Sequence, residues 1–141
     1  MRKIHQKIGN TVKTFLESIE NGSTKTDFKN VNRNTVIWLH RSGDLWMHPI
    51  ETIPGIEWCV TIQYYHTDIV TVGITGNKTM HCYINTGGYT TKTTKEYINA
   101  ALSALGFPYH LRIRNYTMQM LGDNGEVVPG FYTSYLLAKQ L

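Results

Sequence analysis

Hydrophobic residues recur at intervals of three and four over residues 3–20, with polar residues between them. This spacing places the apolar side chains on one face of a helix, so it predicts an amphipathic helix over residues 3–20. Asn21 and Gly22 follow directly, and glycine commonly ends a helix. Residues 23–34 are polar and lack a clear period, which predicts a loop. The apolar positions of the helix are Ile4, Ile8, Val12, Phe15, Leu16 and Ile19.

From residue 35 to residue 86 the pattern changes to short apolar or alternating segments that are separated by turn residues. Such segments are typical of β-strands, and alternation between apolar and polar residues indicates strands with one buried face. The first two strands are predicted to form a hairpin. The predicted strands cover residues 35–40, 45–50, 58–65, 67–75 and 78–86.

The second helix is predicted over residues 93–106. Thr93 and Glu96 have the spacing of a capping box, in which Glu96 reaches back to the backbone of Thr93. Two strands, residues 109–121 and 127–137, are then predicted to form a C-terminal hairpin. The whole pattern predicts a single α+β domain over residues 1–141. It consists of an antiparallel sheet, an amphipathic N-terminal helix and a second helix that follows a loop rich in glycine and threonine.

Composition narrows the class of protein. The chain is 41% hydrophobic and 17% charged, which excludes a highly charged, disordered protein. Its formal net charge of +4 favours an anionic partner. No apolar run is long enough to cross a bilayer, and the N-terminus lacks the apolar stretch of a secretory signal, so we expect a cytoplasmic protein without membrane contact. Cys59 and Cys82 lack the spacing of a disulfide framework or a metal site, and we expect both to be buried.

The sequence contains no motif typical of a catalytic site. Its six histidines and ten carboxylate residues have neither metal-ligand spacing nor the arrangement of a known nucleophilic site. The segment His66-Thr67-Asp68 comes nearest, but Asp68 has a local reason to lie in a turn. We therefore expect no catalytic residues, no bound metal and no cofactor.

Residues 85–99 are the most informative segment. Gly87 and Gly88 allow a bend, after which a loop rich in threonine and lysine leads into the second helix, whose N-terminus favours negative charge. Tyr89 offers a flat face for a nucleotide base, and Asn99 has both a donor and an acceptor. In the alternative interpretation the glycines only form the turn, the threonines cap the helix and the lysines are solvated. The candidate phosphate contacts are Thr90, Thr91, Lys92 and Lys95.

A second basic feature follows the helix. Residues 109–116 alternate, which places His110, Arg112, Arg114 and Tyr116 on one strand face and the apolar residues between them on the other. Arginine binds phosphate through two hydrogen bonds, so this face suits a nucleotide. A solvated face with ion pairs between strands is the alternative.

Residues 66–99, which include Asn-Thr-Gly-Gly-Tyr-Thr-Thr-Lys-Thr-Thr-Lys, resemble the Thoeris anti-defence family of phage sponge proteins, of the first type described. Members of that family bind cyclic ADP-ribose isomers made by Thoeris TIR proteins and hold them without cleaving them. Some also hold cyclic trinucleotides and are hexamers built from dimers. The resemblance implies that Tyr89 is the pocket aromatic, that Asn99 is the helix asparagine, and that Arg112 and Arg114 are the pocket arginines.

We therefore expect a non-enzymatic phage protein that sequesters a cyclic nucleotide in the host bacterial cytoplasm and forms homodimers or hexamers of dimers. The apolar face of residues 4–19 either mediates this association or packs on the protein's own sheet. Two other interpretations stay open. One is a single-stranded nucleic-acid-binding protein, and the other is a phosphodiesterase that uses His66 or His81.

Overall fold

The computed structural model describes residues 2–22, 25–44 and 48–141. It confirms the α+β class, with a six-stranded antiparallel sheet, a separate two-stranded sheet and two α-helices in the described part of the chain. None of the described helices combines the length and apolarity that a bilayer-crossing segment needs. The elements are α1 (Lys3–Glu20), β1 (Asp27–Asn32), β2 (Thr35–Arg41), two 3-10 helices (Ser42–Asp44 and Pro49–Thr52), β3 (Trp58–Tyr64), β4 (Thr67–Ile74), β5 (Thr79–Asn85), α2 (Lys92–Leu105), β6 (His110–Arg114), β7 (Thr117–Leu121) and β8 (Ser134–Gln140).

The large sheet has the strand order β1-β2-β3-β4-β5-β8, and all neighbouring strands are antiparallel. Both α-helices contact one face of this sheet and each other. Ile8 and Val12 of α1 are completely buried in the same core as the inward side chains of the strands. The apolar face of α1 therefore packs on the protein's own sheet, which resolves the question that the sequence left open for this face.

The segment over residues 23–34 is not a loop throughout, because β1 occupies its second half. β1 is an edge strand, and only Val31 of its six residues is buried. A strand that buries so little carries no alternating apolar signal, which explains why the sequence predicted a loop. Residues 23 and 24 lie outside the described residues.

The prediction of a strand over residues 45–50 is also wrong for residues 48–50, which the structure describes. Residues 45–47 lie outside the described residues, and the 3-10 helix Pro49–Thr52 occupies the end of the predicted strand. Pro49 lacks the backbone N–H that a strand would use and suits the first turn of a helix instead. Ile50 packs with Ile56 and Cys59, so this segment covers part of the sheet face opposite the helices.

The predicted C-terminal hairpin is wrong. The chain turns back at Asn115 and Tyr116, so that residues 110–121 form their own hairpin, β6–β7, and β8 returns to pair with β5. Both turn residues have positive φ, as in the tight turns that join antiparallel strands, but neither is a glycine that would signal such a turn. Tyr116 therefore lies in the turn and does not share the β6 face with His110, Arg112 and Arg114.

The N-cap of α2 lies two residues before the predicted N-cap, Thr93. Thr91 is the N-cap, and its hydroxyl accepts a hydrogen bond from the Thr94 N–H at 3.3 Å. Glu96 faces α1, where a carboxylate oxygen lies 3.3 Å from Nε2 of His5. The predicted capping box between Thr93 and Glu96 is therefore wrong. The helix ends at Gly106, which has the left-handed conformation of a glycine cap.

Candidate functional site

A pocket of about 520 Å³ lies between the β3–β4 turn and the start of α2. Tyrosines and hydroxyl side chains dominate its lining, and we call it the tyrosine pocket. Its lining residues are Tyr64, Tyr65, His66, Thr67, Ile69, Thr86, Tyr89, Thr91, Thr93 and Thr94.

Two glycines shape the loop that brings Tyr89 into this pocket. Gly87 and Gly88 both have positive φ, which glycine adopts without steric cost. A β-carbon on Gly87 would lie 3.0 Å from Cγ2 of Thr67 and 3.3 Å from Cδ2 of Tyr89. Only glycine therefore lets this loop approach the beginning of β4 closely enough to complete the pocket wall.

The aromatic wall consists of Tyr64, Tyr65 and Tyr89. The rings of Tyr64 and Tyr65 contact edge to face, with centroids 4.8 Å apart. Tyr65 is 58% exposed and Tyr89 is 60% exposed, so both rings present area to a ligand. Burial raises the pKa of Tyr64, and the neighbouring Tyr65 and Tyr97 act in the same direction against a hydrogen bond from Thr93. Tyr64 therefore stays neutral at physiological pH and can donate a hydrogen bond.

The first turn of α2 forms another part of the lining. The Thr91 hydroxyl lies 2.9 Å from that of Thr94 and caps the helix. The N–H groups in the first turn of any helix lack an acceptor within the helix, and the helix dipole adds partial positive charge there. Hydroxyl and amide donors therefore stand beside an aromatic surface, an arrangement that can bind a phosphate attached to a base.

The predicted site residues do not all lie in this pocket. Tyr89 and Thr91 line it, while Thr90 and Lys92 are exposed on the adjoining loop and first turn. Nζ of Lys92 lies 3.8 Å from a carboxylate oxygen of Glu96. Lys95 and Asn99 line a separate cleft of about 560 Å³, together with His5, Tyr109 and His110 among others.

Asn99 has a different set of contacts from the one the sequence suggested. Its Nδ2 donates to the Leu111 carbonyl at 2.9 Å, and its Oδ1 accepts from the Leu111 N–H at 2.6 Å. Both amide atoms are thus engaged with the backbone of β6. Asn99 joins α2 to the β6–β7 hairpin.

The two arginines lie on β6 and line neither cavity. The alternation predicted over residues 109–116 holds for residues 110–114 only, where Leu111 is buried and Ile113 packs against the core while His110 and Arg114 are exposed. Arg112 donates from Nε to Oε1 of Gln119 at 2.9 Å, across the hairpin. Within residues 2–22, 25–44 and 48–141, neither arginine forms an ion pair, so the ion-paired alternative is not observed there.

The sequence pattern did not identify three of the pocket residues, Tyr64, Tyr65 and His66. The available signal was a run of two tyrosines and a histidine at the turn between two strands. Strand alternation alone would place the Tyr64 and Tyr65 side chains on opposite faces of the sheet. The positive φ of Tyr65 breaks that alternation, and the two rings meet instead.

A third, smaller cavity of about 430 Å³ shares His66 and Thr67 with the tyrosine pocket. His48 lines it and contacts Tyr83 edge to face at 5.0 Å. Nδ1 of His48 accepts a hydrogen bond from the Ile50 N–H at 3.0 Å. Burial lowers the pKa of His48, which favours the neutral ring that this hydrogen bond requires.

Cys59 and Cys82 are both free and completely buried, as expected, and burial raises the pKa of each thiol to about 12. In the part of the chain that the structure describes, no group of three or more histidine, cysteine or carboxylate residues is arranged to hold a metal ion.

Comparison with models of protein families, with curated proteins and with solved structures gave no match to this chain.

Proposed function

We propose that this protein is a phage anti-defence protein that binds a cyclic nucleotide immune signal in the host bacterial cytoplasm and holds it without cleaving it. The proposed ligand is a cyclic ADP-ribose isomer made by a Thoeris TIR protein, with cyclic oligonucleotides as related ligands. The proposal extends the resemblance of residues 66–99 to the sponge family.

The tyrosine pocket is the observation that carries this proposal. Tyr65 and Tyr89 offer exposed aromatic area on which an adenine can stack, and such stacking contributes about 1–3 kcal/mol per base. The first turn of α2 lines the same pocket and suits the pyrophosphate. A small cavity that suits both a base and a phosphate is matched to a single ligand of nucleotide size.

The described lining of the tyrosine pocket contains no lysine or arginine, although a pyrophosphate carries negative charge. Arg112 and Arg114 lie on a hairpin that does not line the pocket of their own chain. In the proposed assembly, a homodimer or a hexamer of dimers, a second copy supplies these arginines. This arrangement also closes the pocket and slows release of the ligand.

Ligand recovery from the purified protein tests the proposal. The protein is mixed with TIR-derived cyclic ADP-ribose isomers, unbound ligand is removed, the protein is heat-denatured, and the supernatant is analysed by mass spectrometry. We expect one intact isomer from the unchanged protein and from the control Tyr116→Ala, whose ring is 94% exposed on the β6–β7 turn. We expect none from Tyr65→Ala or Tyr89→Ala.

The other outcomes are also informative. A cleaved product would contradict sequestration and direct attention to His66 and His81. Retention that is equal in all variants would contradict the tyrosine pocket as the site. If the unchanged protein retains no isomer, the proposed ligand is wrong, and cyclic trinucleotides are the next ligands to test.

Single-stranded nucleic acid is the second candidate ligand, and the β6–β7 hairpin favours it. His110 and Arg114 are exposed on β6, Arg112 is half-buried beside them, and Tyr116 stands at the tip of the hairpin. Such a surface would bind longer oligonucleotides more tightly and lose affinity steeply with salt. Arg114→Ala would then weaken binding while Tyr89→Ala would not, whereas a sponge that uses the tyrosine pocket and the arginines of a second copy should be weakened by both substitutions.

A further inference from the structure

β1 is an edge strand whose outer side has no strand partner among the described residues. Phe28 and Trp38, directly opposite each other on β1 and β2, form an aromatic pair with ring centroids 5.1 Å apart. They are 53% and 40% exposed. Trp38 alternates with the buried Ile37 and Leu39, so the aromatic pair lies on the sheet face opposite the helices. An exposed edge beside exposed aromatic rings is a surface that favours association.

Only the first part of this edge is open. Near its end, Nζ of Lys7 donates to the Val31 carbonyl at 3.3 Å, and the strand has an irregular register between Asn30 and Asn32. Before that point, the Phe28 N–H donates to Oδ1 of Asp27 at 2.8 Å. This N–H is thus directed to the open edge, where the carbonyl of the same residue also points in an antiparallel strand.

We infer that residues 26–30 pair in antiparallel fashion with the same residues of a second copy of this chain, with Phe28 at the centre. In this register the Phe28 N–H donates to the carbonyl of the partner's Phe28, and the reciprocal bond forms by symmetry. The Asp27 carboxylate gives up its local hydrogen bond and meets the partner's Lys29. The Phe28 and Trp38 rings of both copies then form one aromatic cluster.

The charges on β1 favour a second copy of this chain as the partner, and they favour this register. A two-fold pairing centred on Phe28 places Asp27 opposite the partner's Lys29 twice, and opposite charges directly across a pair of strands are stabilising. In residues 2–22, 25–44 and 48–141, neither Asp27 nor Lys29 takes part in an ion pair within its own chain. β8, the other edge of the sheet, carries Lys139 as its one charged residue and offers no such complementarity.

Charge reversal tests the inference without reference to any ligand. Asp27→Lys and Lys29→Asp each place like charges opposite each other in a homodimer, so we expect each to raise the Kd of self-association by about tenfold or more at low salt. In an equimolar mixture of the two variants every opposed pair again has opposite charges. We expect the mixture to recover the unchanged protein's affinity as a one-to-one heterodimer.

Sedimentation velocity over a range of concentrations measures this association, and circular dichroism confirms that each variant is folded. Lys13→Asp and Glu17→Lys, at exposed positions of α1, are matched charge controls that should associate like the unchanged protein. Hydrogen exchange of the unchanged protein supplies a second measurement, since residues 26–30 should become more protected as concentration rises. The inference is overturned if the unchanged protein stays monomeric, if the reversed variants associate normally, or if the mixture fails to recover affinity.

Discussion

At the scale of single residues, Asn99 shows how a polar side chain that looks like a ligand contact can instead be structural. The sequence could reveal its position one turn into a helix, but not that β6 would pass beside it. Its two hydrogen bonds go to Leu111, which is 12 positions away in the chain. Such a contact depends on where the chain returns, and no local pattern encodes that.

We expect Asn99→Ala to lower the free energy of unfolding by about 2 kcal/mol, because it leaves the N–H and carbonyl of the buried Leu111 without their partners. Urea unfolding followed by circular dichroism measures this loss. Ser103→Ala, at an exposed position of the same helix, is the control and should change stability little. If Asn99→Ala kept full stability and lost only ligand binding, the structural role assigned here would be wrong.

For Tyr89 and Thr91, in contrast, local sequence was sufficient to place both residues beside the start of α2. A strand end, two glycines and a helix start follow one another directly, so their relative placement is fixed by short-range geometry. Tyr65 could not be found in the same way, since it reaches the pocket through a positive φ that its sequence neighbours do not signal.

At the scale of elements, the loop between β5 and α2 offers a matched pair of substitutions. Gly87 and Gly88 both have positive φ, so alanine at either position costs about 1–2 kcal/mol in backbone strain. A β-carbon at Gly87 would also press on Thr67 and Tyr89, whereas one at Gly88 would meet nothing within 4 Å.

We therefore expect Gly87→Ala to distort the wall of the tyrosine pocket and Gly88→Ala to leave it intact. Thermal unfolding should show a loss of stability in both, while binding of the retained ligand should fall strongly in Gly87→Ala alone. Equal binding by both variants would show that the approach of Gly87 to Thr67 does not shape the pocket.

The segment that covers the opposite face of the sheet depends on another glycine. A β-carbon on Gly73 of β4 would lie 2.6 Å from Cγ2 of Ile56, well inside van der Waals contact. We expect Gly73→Ala to lower the free energy of unfolding by about 1–3 kcal/mol through overpacking. Gly76→Ala is the control, because nothing lies within 4 Å of its added carbon and its φ is not positive. Urea unfolding that gave equal stabilities for the two variants would contradict this account.

The elements also differ in how far the sequence predicted them. α1, β2, β3, β4, β5 and α2 carry strong apolar patterns because each buries one face or, in β3 and β4, both faces, and all were predicted to within about one residue. β1 was missed because an edge strand buries almost nothing. The β6–β7 hairpin was read as one strand because its alternation runs up to a tight turn that lacks glycine. Sequence patterning reports burial, and it fails where burial is small or where a turn has no distinctive residue.

At the scale of the whole molecule, burial of two histidines links stability to pH. Burial lowers the pKa of both His48 and His81 below the ordinary value of 6.5, although the nearby Asp68 carboxylate partly opposes this for His48. Below pH 6.5 the unfolded chain therefore binds more protons at these positions than the folded protein does. The stabilisation from the neutral rings is complete above that pH and is lost as the pH falls through the folded-state values.

We expect the free energy of unfolding to fall between pH 7.5 and pH 5.5, a range in which carboxylates with ordinary pKa values change charge little. Urea unfolding across this range should show the slope, and His48→Gln and His81→Gln should each reduce it even where they lower the overall stability. His110→Gln, at an exposed position on β6, should keep the slope of the unchanged protein. Protonation of His48 also has a direct structural effect on stability. It removes the Nδ1 acceptor for the Ile50 N–H and loosens the segment that covers the sheet. A slope that neither substitution alters would place the pH dependence in other groups.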